Sequence, residues 1–283
     1  EISVRFREGR GEEARYFLNE LVDTCVGCHS RLPAPSSSAL GETLYDAVDA
    51  DHLPRTERIR LRIATRQFDQ ALEDIEDLLR DDMVHPAQVD LGGFLEDYLR
   101  LAIRVRTNPK RAIATLSDWQ MKRDLPAYLD DLVSTWLVSL NELSSFDAPG
   151  DELVMARELT QKARLLRRFP SDRRSVVFDL AVSGLLHSGL ASGGLEGVER
   201  AEAYYLLGLA ELHAAHLEWP AAPESYLEAA IREAPGSEPA REAYLLLEEE
   251  IVAGHTGSGG THLPEAVEGW LSELAALAGL SSP

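Results

Sequence analysis

The sequence predicts an all-α fold, and three observations predict it. From Arg55 onward apolar residues recur three and four positions apart; the periodic stretches run about 12 to 18 residues between short turns; and no run alternates with the period of two that a strand needs. A chain of 283 residues with 45% hydrophobic content can bury a core as one elongated or two compact domains.

The first expected helix covers residues 11 to 24, where Phe17, Leu18, Leu21 and Val22 fall at helical spacing. The prolines and serines of the run from Ser30 to Ser38 argue against its continuation and read as a loop. Thr56 to Leu79 carries Ile59, Ile63, Phe68, Leu72, Ile75 and Leu79 on an apolar face. Leu95 to Arg106, Pro109 to Met121, Pro126 to Leu140, Asp151 to Arg168 and Arg174 to Leu190 read as further helix pairs with degenerate repeat signatures, and Ala203 to Pro235 as a clearer pair. Ala240 to Val252 and Pro264 to Leu280 complete the array. The glycine-rich run Gly257-Ser258-Gly259-Gly260, flanked by His255 and His262, lacks the lysine and spacing of a phosphate loop and reads as a flexible link.

The phrase from Ala64 to Leu72 resembles the turn and second helix of a tetratricopeptide repeat, in which a small Ala packs between antiparallel helices. In Ala203 to Pro235, Leu207-Gly208 supplies the small residue of a first helix, Ala222, Tyr226 and Ala229 fall at the spacing of the second, and Pro235 closes the unit; an insertion around Glu218 to Ala221 departs from the strict period. A helix pair cannot bury its apolar face alone, so the resemblance implies stacking into a tetratricopeptide-like solenoid. The alternative is an irregular helical bundle.

Both cysteines of the chain lie in Cys25-Val26-Gly27-Cys28-His29. In this CxxCH spacing two thiols reach the two vinyl groups on one porphyrin edge while the next residue turns an imidazole onto the iron. A zinc site would want a second ligand pair, and the βαβ pattern around a thioredoxin-type disulfide is missing. Residues 12 to 35 thus resemble the c-type cytochromes, which implies one covalently attached haem c, with Cys25 and Cys28 forming thioethers and His29 as the proximal ligand. The proline-rich segment after His29 and the lack of a recognisable Met ligand loop differ from class I cytochromes, and the motif lies too near the start for the four-helix cytochrome c′ pattern. The expected organisation is an N-terminal haem-binding segment, 1–54, followed by an all-α helical-repeat domain, 55–283.

A six-coordinate iron needs a second axial ligand. His52, in a turn before the first repeat helix, is the leading metal-ligand candidate; Met83 and His85 in the next connecting loop are the others, and His29 as sole ligand would leave an open site. His213 and His216 stand one turn apart on a repeat helix, a spacing that by itself reads as packing or solvent exposure. Arg31 and Arg55 are candidate partners for haem propionates.

The 28 basic against 48 acidic residues, a net charge of −20, argue against nucleic acid and suit a basic redox partner or simple solubility. The apolar stretch Leu132 to Leu140 is too short to cross a bilayer, so no transmembrane segment is expected. A start at Glu1 fits a trimmed chain or a mature form without its signal peptide, and haem attachment implies a periplasmic or extracellular location. The leading reading is an electron carrier rather than an enzyme, its repeats docking a partner protein, a second copy or a larger complex. The alternatives are a haem-based ligand sensor and a structural haem-bearing scaffold.

Overall fold

The computed structural model describes residues 1–31, 38–48, 50–146, 151–214 and 221–280, with the backbone alone at positions 51, 221 and 222. The fold is all-α: fifteen α-helices are present among the described residues, with one two-stranded ladder. Packing divides them into two units, one up to residue 146 and one from residue 151.

The first unit begins with α1 (Ile2–Arg7), α2 (Gly11–His29) and α3 (Ala39–Asp46), then a 3-10 turn at Ala50–His52. It continues through α4 (Arg55–Ala64), α5 (Phe68–Arg80), α6 (Pro86–Leu91), α7 (Phe94–Leu99), α8 (Pro109–Lys122) and α9 (Ala127–Ser144). The hairpin of α4 and α5 is its centre. Ile59, Ile63, Phe68, Leu72, Ile75 and Leu79 are all buried, as is the small Ala71, and each such aliphatic side chain contributes about 1.5–3 kcal/mol. The turn between the two helices puts Arg66 at φ +62°, while the amide of Gln67 reaches back to the Arg62 carbonyl at 2.8 Å. Segment 1–54 packs onto this hairpin through α2 and α3, both of which lie on α4.

The stretch Leu95 to Arg106, expected within a helix pair, is α7 followed by a π-helical turn, Arg100–Val105. The Arg106 amide bonds the Leu101 carbonyl five residues back at 2.9 Å, and that of Asn108 bonds the Ala102 carbonyl at 2.7 Å. Asn108 then caps α8 with its side chain, 3.2 Å from the Arg111 amide, and Pro109 takes the first helical position.

The second unit contains α10 (Glu152–Leu166), a 3-10 turn at Arg173–Ser175, α11 (Val176–Ser192), α12 (Gly197–Ala214), α13 (Ala221–Glu233), α14 (Glu238–Gly254) and α15 (Glu265–Leu277). Consecutive helices pack on one another, and so do alternate ones: α10 on α12, α12 on α14, α13 on α15. Gly208 lets α12 approach α13, since a Cβ there would stand 2.8 Å from the Leu227 side chain. The buried positions of α13 include Leu227, Ala230 and Ile231; Tyr226, expected on that face, instead meets His187 edge-on at 5.7 Å. Pro235 closes the helix as expected, with Gly236 at φ +72° leading into the Ser237 cap of α14.

One expectation needs correction here, and one helix bears on another. The segment Arg173–Ser192 is long and apolar enough, by length and composition alone, to cross a bilayer, which the shorter stretch at Leu132 to Leu140 did not suggest. Most of it is buried between α10 and α12, and it carries Asp179, bonded to Arg167 at 3.1 Å, and Ser183, bonded to Glu211. These are the properties of a core helix with internal polar partners. The glycine-rich run read as a flexible link forms a tight antiparallel pair, β1 (Thr256–Gly257) with β2 (Gly260–Thr261). The two threonine hydroxyls meet across it at 2.8 Å, and Gly260 supplies the required φ of +101°.

Candidate functional site

The motif lies at the C-terminal end of α2, whose two faces differ. The inner face buries Val26 and Gly27, and the helix packs on α4. At 3.6 residues per turn the sequence places Leu18, Leu21, Val22, Cys25, Cys28 and His29 on a second face. That face is largely uncovered: Leu18 is 48% and Leu21 52% exposed, Cys28 is exposed, and Val22, Cys25 and His29 are partly so. Both thiols are free. They stand one helical turn apart, the spacing at which i and i+3 side chains share a face.

His29, the last residue of α2, is anchored from α4. Its Nδ1 donates to the Ala64 carbonyl at 2.7 Å, one of the carbonyls that the end of α4 leaves without an intrahelical partner. A carbonyl only accepts, so Nδ1 carries the proton, and in the neutral ring the lone pair is on Nε2. A hydrogen bond from the remote ring nitrogen to a carbonyl is the usual support of a metal-ligating histidine.

The next residue, Thr65 at the end of α4, is held by α3. Gly41 sits so close to the Thr65 carbonyl that a Cβ would lie 1.8 Å from the oxygen. Four residues on, Tyr45 accepts a hydrogen bond from Arg62 Nε at 3.1 Å and stacks beneath its guanidinium at 5.5 Å. With Gly41 at Thr65 and Tyr45 at Arg62, α3 runs antiparallel to α4. Its own apolar side chains, Leu40 and Leu44, are uncovered, as is Val48 just beyond it.

His52 is exposed and follows α3 in the turn that leads into the start of α4. The ten residues of α4 span about 15 Å, and Ala64 is at the other end. Met83 and His85 gather at the His52 end as well. Arg55 pairs with Asp81 at 2.8 Å, joining the start of α4 to the end of α5, and the Asp81 carboxylate accepts the Met83 amide at 3.0 Å. Met83 is 91% exposed. His85 caps α6: its Nδ1 accepts the Ala87 amide at 3.2 Å, while Gln88 Oε1 accepts the His85 amide. The structure therefore brings Cys25, Cys28 and His29 together and places His52, Met83 and His85 at the opposite end of the α4–α5 hairpin. Arg55, a candidate propionate partner, is engaged by Asp81.

Of the histidines beyond residue 151, His213 is partly buried and His255 and His262 make local bonds. Burial, reinforced by the Arg167 charge, pushes His213 down to about 4; His216 lies outside the described residues. His255 Nδ1 bonds the Ile251 carbonyl at 2.8 Å and His262 Nε2 the Gly259 carbonyl at 3.2 Å. Among the described residues no three His, Cys, Asp or Glu side chains converge as a metal site. Sequence reasoning missed the Ala64 carbonyl, since a backbone acceptor has no side-chain signal, and the buried Arg104 behind Ser30, since it lies 74 residues away on a π-helical turn. Most of the run expected as a loop from Ser30 to Ser38 lies outside the described residues. The chain matches no protein-family model, no curated protein and no solved structure.

Proposed function

We propose that this chain is a monohaem c-type cytochrome that carries electrons rather than transforming a substrate. The observation that carries the reading is the His29 Nδ1 to Ala64 bond of 2.7 Å, which leaves Nε2 available at the end of a helix whose same face bears two free thiols. The donor set fits haem c. Cys25 and Cys28 would each add S–H across one vinyl group, forming a thioether without an oxidant, and His29 Nε2 would bind the iron. The uncovered apolar side chains Leu18 and Leu21 on the motif's face of α2 suit a large apolar macrocycle. When bound, the group supplies a one-electron ferric/ferrous couple. The chain's own work is to hold the imidazole in one tautomer and to present both thiols on one accessible face of α2.

In this reading residues 1–54 form the haem segment, and 55–283 a tetratricopeptide-like repeat array that docks a redox partner, a second copy or a larger complex. Packing between alternate helices α10, α12 and α14 supports the repeat character, because stacked helix pairs touch both their own mate and the next pair. A net charge of −20 favours a basic partner, and haem attachment of this type places the protein in the periplasm or outside the cell. Optical redox titration of the purified haem-bearing protein tests the proposal: reversible one-electron behaviour is expected, and its absence would overturn it.

One observation favours a second reading, a haem-based ligand sensor. His52, Met83 and His85 all lie at the far end of the α4–α5 hairpin from His29, an arrangement that suits an iron with one protein ligand and an open face. Carbon monoxide binding by the reduced protein separates the two: uptake favours the sensor, and a low-spin spectrum indifferent to the gas favours the electron carrier.

A further inference from the structure

Arg104 is 1% exposed, one of the largest fully buried side chains of the protein. It comes from the π-helical turn Arg100–Val105, and such turns, by adding a residue to the helical register, re-aim the side chains they carry. Its Nε donates to the Ser30 carbonyl at 2.7 Å, and one terminal nitrogen lies 3.4 Å from Ser30 Oγ. Ser30 is itself fully buried and is the C-terminal cap of α2. Its hydroxyl donates to the Val26 carbonyl at 2.7 Å, and its amide to the same oxygen at 3.1 Å. The guanidinium is thus wired through Ser30 into the middle of the CxxCH turn.

We infer that Arg104 is a positioning residue for His29 and a fixed positive charge that sets the electron affinity of the site. Two restraints converge on the imidazole: the Ala64 carbonyl on the ring, and Arg104 on the backbone one residue beyond. A two-point guanidinium contact to a carbonyl and a hydroxyl fixes orientation in a way a flexible ammonium does not. Its charge at the C-terminal end of α2 also opposes the negative end of that helix's dipole. A buried cation this close to the motif disfavours the more positively charged oxidised state, so it raises the potential. The electron-affinity half rests on the proposed haem reading; the positioning half does not.

The test uses the full chain with Arg104→Lys, Arg104→Met and Ser30→Ala. In the haem-free protein, nitrogen NMR of the His29 ring reports the tautomer; the wild type is expected to show a single Nδ1–H form and Arg104→Met a mixture. In the haem-bearing protein, Arg104→Met is expected to favour the oxidised state about tenfold, a fall of about 59 mV for one electron. Arg104→Lys, which keeps the charge, is expected to stay within about threefold of the wild type while losing tautomer selectivity. Should Arg104→Met fail to fold, the contrast between Arg104→Lys and Ser30→Ala decides: Ser30→Ala keeps both charge and carbonyl contact and is expected to hold the tautomer that Arg104→Lys loses. Ring signals and potential unchanged in Arg104→Met, or tautomer selectivity unchanged in Arg104→Lys, overturn the inference. Absence of haem from the wild type overturns the haem reading alone and leaves the ring measurement standing.

Discussion

Gly41→Ala isolates the contact that docks α3 onto the end of α4. The added methyl would stand 1.8 Å from the Thr65 oxygen and 2.8 Å from its carbon. Both partners are backbone, so neither can rotate away, and α3 must withdraw by more than about 1 Å. A gap of that size already forfeits a quarter to a half of each van der Waals contact along the seam. It also breaks the Tyr45–Arg62 hydrogen bond, where bonds to charged groups are worth about 1.5–3 kcal/mol, and disturbs the Ser38 cap, worth about 1 kcal/mol. The expected loss is about 2–4 kcal/mol, limited above by complete undocking of α3. Urea unfolding of the haem-free chain measures it, with hydrogen exchange at residues 39–46 locating the change. Gly11→Ala is the control: nothing stands within 4 Å of a Cβ there, and Ala at that position of α2 should be neutral or stabilising by up to about 1 kcal/mol. Equal stability of the two variants would refute the packing argument.

Other perturbations have equally definite outcomes. Ile75→Ala removes a fully buried side chain and is expected to cost about 2–5 kcal/mol in urea unfolding. Burial holds the Asp179 carboxyl up, to about 6, against the opposing pull of Arg167. The native state therefore binds more protons than the unfolded one from about pH 4 to 6, and this group's contribution to stability falls as pH rises through that window. His213, pushed down to about 4, acts with the opposite sign: its contribution is complete above about pH 6.5 and is lost as pH falls toward 4. Replacing His213 by Phe should expose the Asp179 slope in stability measured against pH, and an unchanged profile would contradict the His213 assignment. His52→Ala and Met83→Ala are expected to leave the visible spectrum of the haem-bearing protein unaltered, because both stand at the far end of the α4–α5 hairpin; a change of spin state in either would place that residue on the iron.

The helices were legible wherever one face is buried throughout. Ile59, Ile63, Phe68, Leu72, Ile75 and Leu79 repeat with the helical period, and all six are in the core. Their burial made the α4–α5 hairpin readable from spacing alone. Short elements were not legible, because their order comes from neighbours rather than from pattern. α3 is eight residues long and is fixed by one glycine meeting a distant carbonyl; α1 and α6 have six residues each. The β1–β2 pair depends on two threonine hydroxyls finding each other across a glycine turn, a pairing that reads in sequence as a flexible run. In the candidate site the spacing of Cys25, Cys28 and His29 could be read directly. The restraints on it could not: Ala64 acts through its carbonyl, and Arg104 lies 74 residues from Ser30 on a turn whose π register no periodicity announces. The distal candidates failed to gather at His29 for a related reason. Sequence distance from the motif suggested that His52 could fold back, whereas the antiparallel run of α3 along α4 carries it the other way.

The most direct test of the central claim is the intact mass of the chain under denaturing conditions, after expression with a c-type haem attachment system, set beside a Cys25→Ala/Cys28→Ala variant. The account predicts that the wild type retains one haem through denaturation and that the variant retains none. A wild-type mass equal to that of the polypeptide alone would contradict it.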